Sequence, residues 1–200
     1  MADVTFLLRD RGGEMVAAWE RHFAGVANVL PAVGDIFGAP VDAVVSPANC
    51  FGFMDGGIDR AYCARFGWAI QDRVRELIAR DWDGELPIGL AVVVETGAPD
   101  VRYLIAAPTV RAPVSVANTL NAYLSFRAVL RAIRTLNAER PGAVSSVACP
   151  GMGTGTGEMP VGPCAKQMRA AWDEIEGGAP FRPTGVNDAL VQHYRLLRDE

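Results

Sequence analysis

The sequence predicts an α/β fold, a three-layer α/β/α sandwich around a mixed, roughly six-stranded sheet. Three observations lead to this prediction. Short apolar segments alternate along the chain with segments in which apolar residues recur at helical spacing. Residues 41–46 are apolar at nearly every position, which is typical of a strand covered on both faces. The chain has 200 residues and is 50% hydrophobic, so residues 1–200 are expected to form one domain around one core.

Each expected element follows from a local pattern. Strands are expected at residues 4–8, 26–33, 41–46, 90–95, 103–107 and 144–149. Pro31 in the second of them favours an edge strand or a strand end. Helices are expected at residues 15–23, 58–66, 70–78, 115–137, 163–175 and 189–198. Ser115 is the expected cap of the longest helix. Two connections resemble hairpins, and residues 177–200 are expected to form an irregular stretch with a terminal helix packed on or trailing the core.

Charge and composition argue against several functional classes. The chain has 19 Lys and Arg against 23 Asp and Glu, and its net charge of −4 argues against a general nucleic-acid binder. No apolar stretch approaches the ~20 residues of a membrane span, and residues 1–4 do not begin like a signal peptide. We therefore expect a cytoplasmic protein without a membrane partner. Four cysteines without a Cys-x-x-Cys pair, and only two histidines, predict no metal site.

Two glycine-rich loops follow expected strands. The first runs from Ser46 through Asn49 to Gly56 and Gly57, and a helix pattern begins directly after it. The second, residues 149–157, has glycine at alternate positions. A strand, a glycine-rich loop and a helix N-terminus can together direct backbone N–H groups at an anion. The pair of loops predicts a ligand with more than one phosphate, although a flexible turn explains the second loop, taken alone, equally well.

Three polar side chains near these loops have both a structural and a functional interpretation. Asn49 either closes a local Asx-turn or binds a sugar hydroxyl. Asp59 either interacts favourably with the helix dipole or is a base that binds a ribose hydroxyl or orients a water. Asp35 is either a turn residue or an acceptor for an exocyclic amine. Neither His22 nor His193 lies near a candidate nucleophile, so Ser-His or Cys-His catalysis has little support.

The order of these features resembles the macrodomain family. The resemblance rests on Gly34-Asp35-Ile36, on residues 42–49, on Gly56-Gly57-Ile58-Asp59 and on residues 150–155, and it covers roughly residues 29–175. It implies binding of ADP-ribose, or of a related nucleotide-diphosphate ribose, in a cleft between the two loops. Some members hydrolyse ADP-ribose from modified macromolecules, which here would need no metal or cofactor. The alternatives are a non-catalytic ADP-ribose reader and an interaction protein on a macrodomain scaffold with an altered ligand site.

The resemblance also implies roles for individual residues. Asp35 and Ile36 would meet the adenine, and Asn49 would bind the distal ribose and support catalysis together with Asp59, the acid near the scissile bond. The remaining implied contacts surround the diphosphate and the distal ribose, and they come from Gly56, Gly57, Ile58, Gly151, Gly153, Thr154, Gly155, Thr156 and Gly157.

The sequence departs from the family pattern at identifiable positions. Ser46 stands where members usually have asparagine, and Pro47 follows it. The first loop has bulky residues where many members have glycines, and its Asp55 would bring a negative charge toward a diphosphate. The strand that usually supplies an aromatic residue against the adenine is not evident. Phe181 and Tyr194 are the candidates to replace that aromatic residue.

Overall fold

A computed structural model describes residues 4–199 of the chain. Residues 1–3, which entered the signal-peptide argument, and Glu200 lie outside the described residues. The strands are β1 (Thr5–Asp10), β2 (Val29–Val33), β3 (Ala43–Ser46), β4 (Val92–Glu95), β5 (Tyr103–Ala106) and β6 (Ser146–Cys149). The helices are α1 (Gly13–His22), α2 (Gly57–Phe66), α3 (Ala69–Asp81), α4 (Asn121–Glu139), α5 (Val161–Ile175) and α6 (Val186–Leu196).

The six strands form one mixed sheet in the order β2-β1-β6-β3-β5-β4. All neighbouring pairs are parallel except β4 and β5, which are antiparallel. The strand that contains Pro31 is at the sheet edge, which is one of the two positions that its proline favoured. The prediction of two hairpin-like connections was wrong for one of them. β4 and β5 form a hairpin, whereas the other short connection, from β2 to β3, passes β1 and β6 and joins strands that are not neighbours.

Apolar clusters cover both faces of the sheet. One cluster packs α1, α4 and α5 against the sheet through residues such as Trp19, Phe126 and Met168. The other packs α2 and α3 against the opposite face, with Tyr62 and Ile70 among its members. Successive residues of β3 and β5 alternate between the two clusters, because side chains alternate across a strand. This explains why residues 43–46 are all buried and confirms the three-layer α/β/α architecture.

The longest helix begins later than its sequence pattern predicted. Ser115 does not cap it, since α4 begins at Asn121 and Leu120 occupies the cap position without a side-chain hydrogen bond. The reason is a tertiary contact, because the N–H of Val116 donates to the carbonyl of Gly157 over 2.7 Å. Val116 is buried against the second glycine-rich loop, close to Gly153 and Gly157.

The C-terminal helix lies outside the helical layer that contains α5. Gln192 donates to Glu174 of α5 over 3.2 Å, and Gln167 of α5 donates to the carbonyl of Leu196 over 3.2 Å. Leu196 is the buried apolar residue of α6. No helix in the described part of the chain is long and apolar enough to cross a membrane.

Candidate functional site

A cleft of about 460 Å³ opens at the carboxyl ends of the parallel strands. β3 and β6 are neighbours in the sheet, so the two glycine-rich loops that follow them form facing walls of this cleft. The segments after β1, β2 and β5 complete the walls. The suggested catalytic and ligand-binding residues, apart from the two aromatic candidates described below, all line the cleft: Asp35, Ile36, Asn49, Gly56, Gly57, Ile58, Asp59, Gly151, Gly153, Thr154, Gly155, Thr156 and Gly157.

Asp59 is the buried carboxylate of the cleft. It lies in the first turn of α2, is 8% exposed, and accepts a hydrogen bond from the hydroxyl of Ser46 over 2.5 Å. Burial raises the pKa of Asp59 to about 6, although the hydrogen bond from Ser46 opposes the rise. Ser46 is itself fully buried and does not line the cleft, so it acts on the cleft only through Asp59. A carboxylate with a pKa near neutral pH is suited to accept a proton from a bound water.

Asn49 organises the first loop. Its side-chain oxygen accepts hydrogen bonds from the N–H groups of Phe51 and Phe53, and its amide nitrogen donates to the carbonyl of Phe53. The bond to Phe51 is an Asx-turn, the structural interpretation considered for this residue. An amide nitrogen has two N–H donors, so one of them is not used by the bond to Phe53. Asn49 therefore shapes the loop and keeps one donor for a ligand.

The N-terminus of α2 opens into the cleft without a side-chain cap. Gly56 occupies the cap position and no side chain of the described residues bonds to the helix start. Gly57 has φ of +53°, a left-handed conformation that glycine adopts without strain. A Cβ atom at Gly56 or Gly57 would meet no atom within 4 Å, so these glycines leave open space. The uncapped N–H groups and the helix dipole favour an anion at this point.

The second loop is closely folded against its own backbone. A Cβ atom at Gly157 would lie 2.6 Å from the carbonyl oxygen of Gly153, and one at Gly151 would lie 2.5 Å from Oγ1 of Thr154. The N–H groups of Glu158 and Met159 close the loop by donating to Gly155 and Gly153.

The top of the same loop has backbone donors without an acceptor. Within residues 4–199, no backbone or side-chain acceptor takes the N–H groups of Thr154, Gly155 or Thr156. The three residues that have these groups line the cleft, where consecutive N–H groups can bind an anion.

The wall formed after β2 contains a charged pair and an aromatic ring. Asp35 forms an ion pair with Arg11 over 2.6 Å and accepts a hydrogen bond from the N–H of Phe37. The hydrogen bond from Arg11 is the main cause that lowers the pKa of Asp35 below its ordinary value, and the hydrogen bond from Phe37 lowers it further. Phe37 packs edge-to-face against Tyr62 and against Phe66, which fixes its ring at the cleft.

Neither aromatic residue suggested for stacking lies at the cleft. Phe181 lines a separate groove beside α5 and α6, and Tyr194 is exposed on α6. The aromatic side chains that line the cleft are Phe37 and Phe53. The sequence contained a signal for Phe37, because it directly follows Asp35 and Ile36.

Arginines hold the bulky residues of the first loop in place. The guanidinium of Arg75 lies 4.4 Å from the ring centre of Phe53, and that of Arg111 lies 5.1 Å from the ring centre of Phe51. Arg111 also makes two hydrogen bonds to Glu85. The substituted loop is therefore an ordered wall of the cleft.

The segment after β5 forms a wall that sequence reasoning missed. Thr109 donates from its hydroxyl to the carbonyl of Pro47, and the N–H of Cys50 donates to the carbonyl of Val110. Thr109, Val110 and Pro113 all line the cleft. Their involvement depends on β5 being the neighbour of β3, which no local pattern shows.

Among residues 4–199, no cluster of three or more His, Cys, Asp or Glu side chains is placed to hold a metal ion.

Comparison with known proteins assigns the family. The sequence profile of the family described as Macro domain matches residues 45–168, which include the end of β3, both glycine-rich loops and the first half of α5. The chain belongs to the macrodomain family. The two loops that form the cleft are thus part of the family's common sequence.

Relatives and solved structures agree with this assignment. An uncharacterized protein of Aeropyrum pernix is 30% identical over 148 residues, which are 74% of this chain and 72% of the relative. A macro domain-containing protein of Streptomyces griseus is 35% identical over 124 residues, covering 61% of this macrodomain and 66% of the relative. The macrodomain of Mycobacterium tuberculosis DarG is 26% identical, with a TM-score of 0.59 over 72% of this chain and 89% of that one.

A further solved structure shares the fold. The Oceanobacillus iheyensis macrodomain, in a structure with ADP, is 20% identical, with a TM-score of 0.56 over 68% of this chain and 71% of that one. A glycine-to-valine variant of the same protein has been solved with ADPR.

Proposed function

We propose that this macrodomain binds ADP-ribose, or a related nucleotide-diphosphate ribose, in the cleft between its two glycine-rich loops. The convergence of two sets of unpaired N–H groups carries the proposal. One set is the uncapped start of α2, and the other is the N–H groups of residues 154–156. Because the loops follow neighbouring strands, they face each other across the cleft, an arrangement suited to the two phosphates of a diphosphate.

The rest of the cleft suits the two ends of such a ligand. Asp35 and Ile36, with Phe37 beside them, form an apolar and acidic corner for an adenine ring and its amino group. Asn49 and Asp59 lie along the first loop and the start of α2, where they would contact the distal ribose. The Asp35 carboxylate stays ionised at neutral pH, since Arg11 keeps its pKa below the ordinary value, so it can accept from an amino group.

We further propose that the protein hydrolyses ADP-ribose from modified macromolecules. Asp59 would accept a proton from a water whose oxygen forms the new bond to the anomeric carbon of the distal ribose. The bond from that carbon to the modified group breaks, and the departing group takes a proton from solvent. With a pKa of about 6, Asp59 is mostly ionised at pH 7 and can act as the base. Orientation by the bound phosphates and electrostatic support of the transition state require no metal.

The second candidate function is a non-catalytic reader of ADP-ribose. The observation that favours it is that the Asn49 side chain is largely engaged in hydrogen bonds within its own loop, which leaves it less free to support catalysis. The natural partner in either case is ADP-ribose or an ADP-ribosylated macromolecule, and the net charge of −4 does not favour general nucleic-acid binding.

We also propose a cytoplasmic location, which the four free, buried cysteines support, because reducing compartments keep thiols unpaired.

Calorimetric titration with ADP-ribose, ADP, AMP and NAD tests the binding proposal. We expect micromolar affinity for ADP-ribose and weaker binding of AMP, which lacks the second phosphate and the distal ribose. Absence of binding to all four ligands would refute the proposal.

Asp59→Asn separates the hydrolase from the reader, and Asp72→Asn, on the exposed surface of α3, is the matched control. A hydrolase loses turnover of ADP-ribosylated substrate in Asp59→Asn while ADP-ribose binding is largely kept. A reader shows no turnover in the wild type or in either variant.

A further inference from the structure

Strand β4 forms an edge of the sheet and has unpaired backbone groups. Its one neighbour is β5, to which it is antiparallel. The N–H of Thr96, directly after β4, donates to the carbonyl of Arg102 over 2.9 Å. Because successive residues of a strand direct their backbone groups to opposite edges, Val94 also bonds to β5, whereas Val93 and Glu95 point to the free edge.

Little of the protein covers this free edge. Arg73 donates to the carbonyl of Glu95 over 2.8 Å, but within residues 4–199 no group bonds to the N–H or the carbonyl of Val93. Grooves of about 700 and 980 Å³ run along the two sides of β4, one beside α4 and one beside α3. Neither helix closes over the strand. An unprotected edge strand is a template for pairing with another strand.

The charges of α4 beside this edge favour a second copy of the chain as the partner. Arg131, Thr135 and Glu139 are four residues apart, so they form one row within about 80° of the helix circumference. All three are exposed and line the groove between α4 and β4. In the described part of the chain, neither Arg131 nor Glu139 forms an ion pair. The row is therefore positive at its start and negative at its end, with both charges available to a partner.

Helix α4 runs alongside β4 in the same direction. At the start, a Cβ atom at Gly89 would lie 3.7 Å from the Cβ atom of Leu124. At the end, Arg140 donates to the carboxylate of Glu95 over 3.0 Å. The groove between these two contacts has the charged row on one side and β4 on the other.

The row is centred level with Val93. At ~3.3 Å per strand residue and ~1.5 Å per helix residue, the distances from the two contacts place Val93 level with about positions 133–136 of α4. Thr135, the middle of the row, lies in this interval. A two-fold axis at Val93 therefore brings Arg131 of each copy to the level of Glu139 of the other.

We propose that two copies of this chain pair through antiparallel β4 strands around a two-fold axis at Val93. The N–H of Val93 in each copy donates to the carbonyl of Val93 in the other, and the two six-stranded sheets become continuous. Because α4 packs over β5, the two α4 helices lie about three strand spacings, ~14 Å, apart. The long side chains of Arg131 and Glu139 bridge this distance in two reciprocal ion pairs.

The pairing is weak and leaves the ligand site open. β4 has four residues, so the interface is smaller than the ~800 Å² per partner of a standard one. We expect a dissociation constant of about 100 µM. No residue of β4 or α4 lines the cleft between the glycine-rich loops.

Sedimentation velocity and amide hydrogen exchange test the pairing between ~10 µM and ~1 mM, with a monomer-to-dimer shift centred near ~100 µM as the expected result. Exchange of the Val93 N–H slows about fourfold over this range, in proportion to the fall in the monomer fraction. The N–H of Val94, which bonds to β5, is the internal control and exchanges slowly at both concentrations. A wild type that stays monomeric at ~1 mM, or a dimer in which the Val93 N–H exchanges as fast as in the monomer, overturns the proposal.

A charge exchange tests the two-fold arrangement. Arg131→Glu and Glu139→Arg each weaken association about tenfold, because each brings like charges together at two places, and the double variant restores it. Arg195→Glu is the matched control and keeps the wild-type association. Arg195 is an exposed helical arginine that lines neither groove beside β4. A double variant that is folded by circular dichroism and associates no more tightly than the single variants overturns the reciprocal pairing.

Discussion

Burial raises the pKa of Asp59 and the hydrogen bond from Ser46 opposes that rise, and Ser46→Ala tests the effect of the hydrogen bond directly. The hydroxyl lies 2.5 Å from Asp59, and both side chains are buried. A hydrogen bond to a charged group contributes roughly 2 kcal/mol, and one pH unit of pKa corresponds to about 1.4 kcal/mol. Without Ser46 the pKa of Asp59 should therefore rise from about 6 by about 1–2 pH units.

Two measurements follow this change. Carboxyl NMR shifts report the titration of Asp59 without any ligand, and the pH profile of the proposed hydrolysis from pH 5 to 9 reports it during turnover. In Ser46→Ala, both midpoints move to higher pH by the same amount. The change in turnover is largest near neutral pH and disappears at high pH, where Asp59 is ionised in both proteins.

Ser125→Ala is the matched control. Ser125 is also fully buried and donates a hydrogen bond, but its acceptor is the carbonyl of Pro108 and not a carboxylate. It should lose stability without moving either midpoint. If the NMR midpoint of Asp59 is the same in wild type and Ser46→Ala, the assigned role of Ser46 is wrong. If that midpoint moves and the wild type has no hydrolase activity, the role of Ser46 stands and the hydrolase proposal fails.

Three further predictions concern stability and ligand contacts. In the folded state the pKa of Asp59 is raised from 3.8 to about 6. The stability that the protonated Asp59 contributes is therefore fully present below about pH 4 and is lost as the pH rises through about 6. The free energy of unfolding of Asp59→Asn, relative to the wild type and measured by urea denaturation, should thus be up to about 3 kcal/mol higher at pH 8 than at pH 4. Gly157→Ala should lower the free energy of unfolding by about 1–3 kcal/mol, because the added Cβ would collide with backbone. Gly155→Ala, whose Cβ would meet no atom within 4 Å, should lower it much less. Equal denaturation midpoints for the two variants would contradict the packing argument. Phe37→Ala should weaken the binding of ADP-ribose and of AMP by the same factor, about tenfold, in calorimetry. Tyr194→Ala should change the affinity for neither ligand. An unchanged affinity in Phe37→Ala would show that Phe37 does not contribute to the adenine corner.

The local sequence was sufficient to predict most of the fold. Residues 43–46 could be identified as a doubly covered strand because four consecutive apolar or small residues leave no polar face. Pro31, whose missing N–H cannot serve a central strand, favoured an edge strand or a strand end, and the strand order places β2 at the edge. The start of α4 could not be predicted, since the contact between Val116 and Gly157 that delays it joins residues far apart in the chain.

The candidate site divides in the same way. Asp35, Asn49, Asp59 and the glycines could be found from the sequence because loops after strands follow a local order, and a parallel sheet brings such loops to one edge. Tertiary structure alone decided which strands are neighbours, and therefore that the segment after β5 lines the cleft. It also decided that Ser46, a departure from the family pattern, contacts Asp59. The physical reason is that burial and hydrogen bonding determine the pKa of a carboxylate. Both depend on which residues, distant in the chain, come into contact in the folded protein.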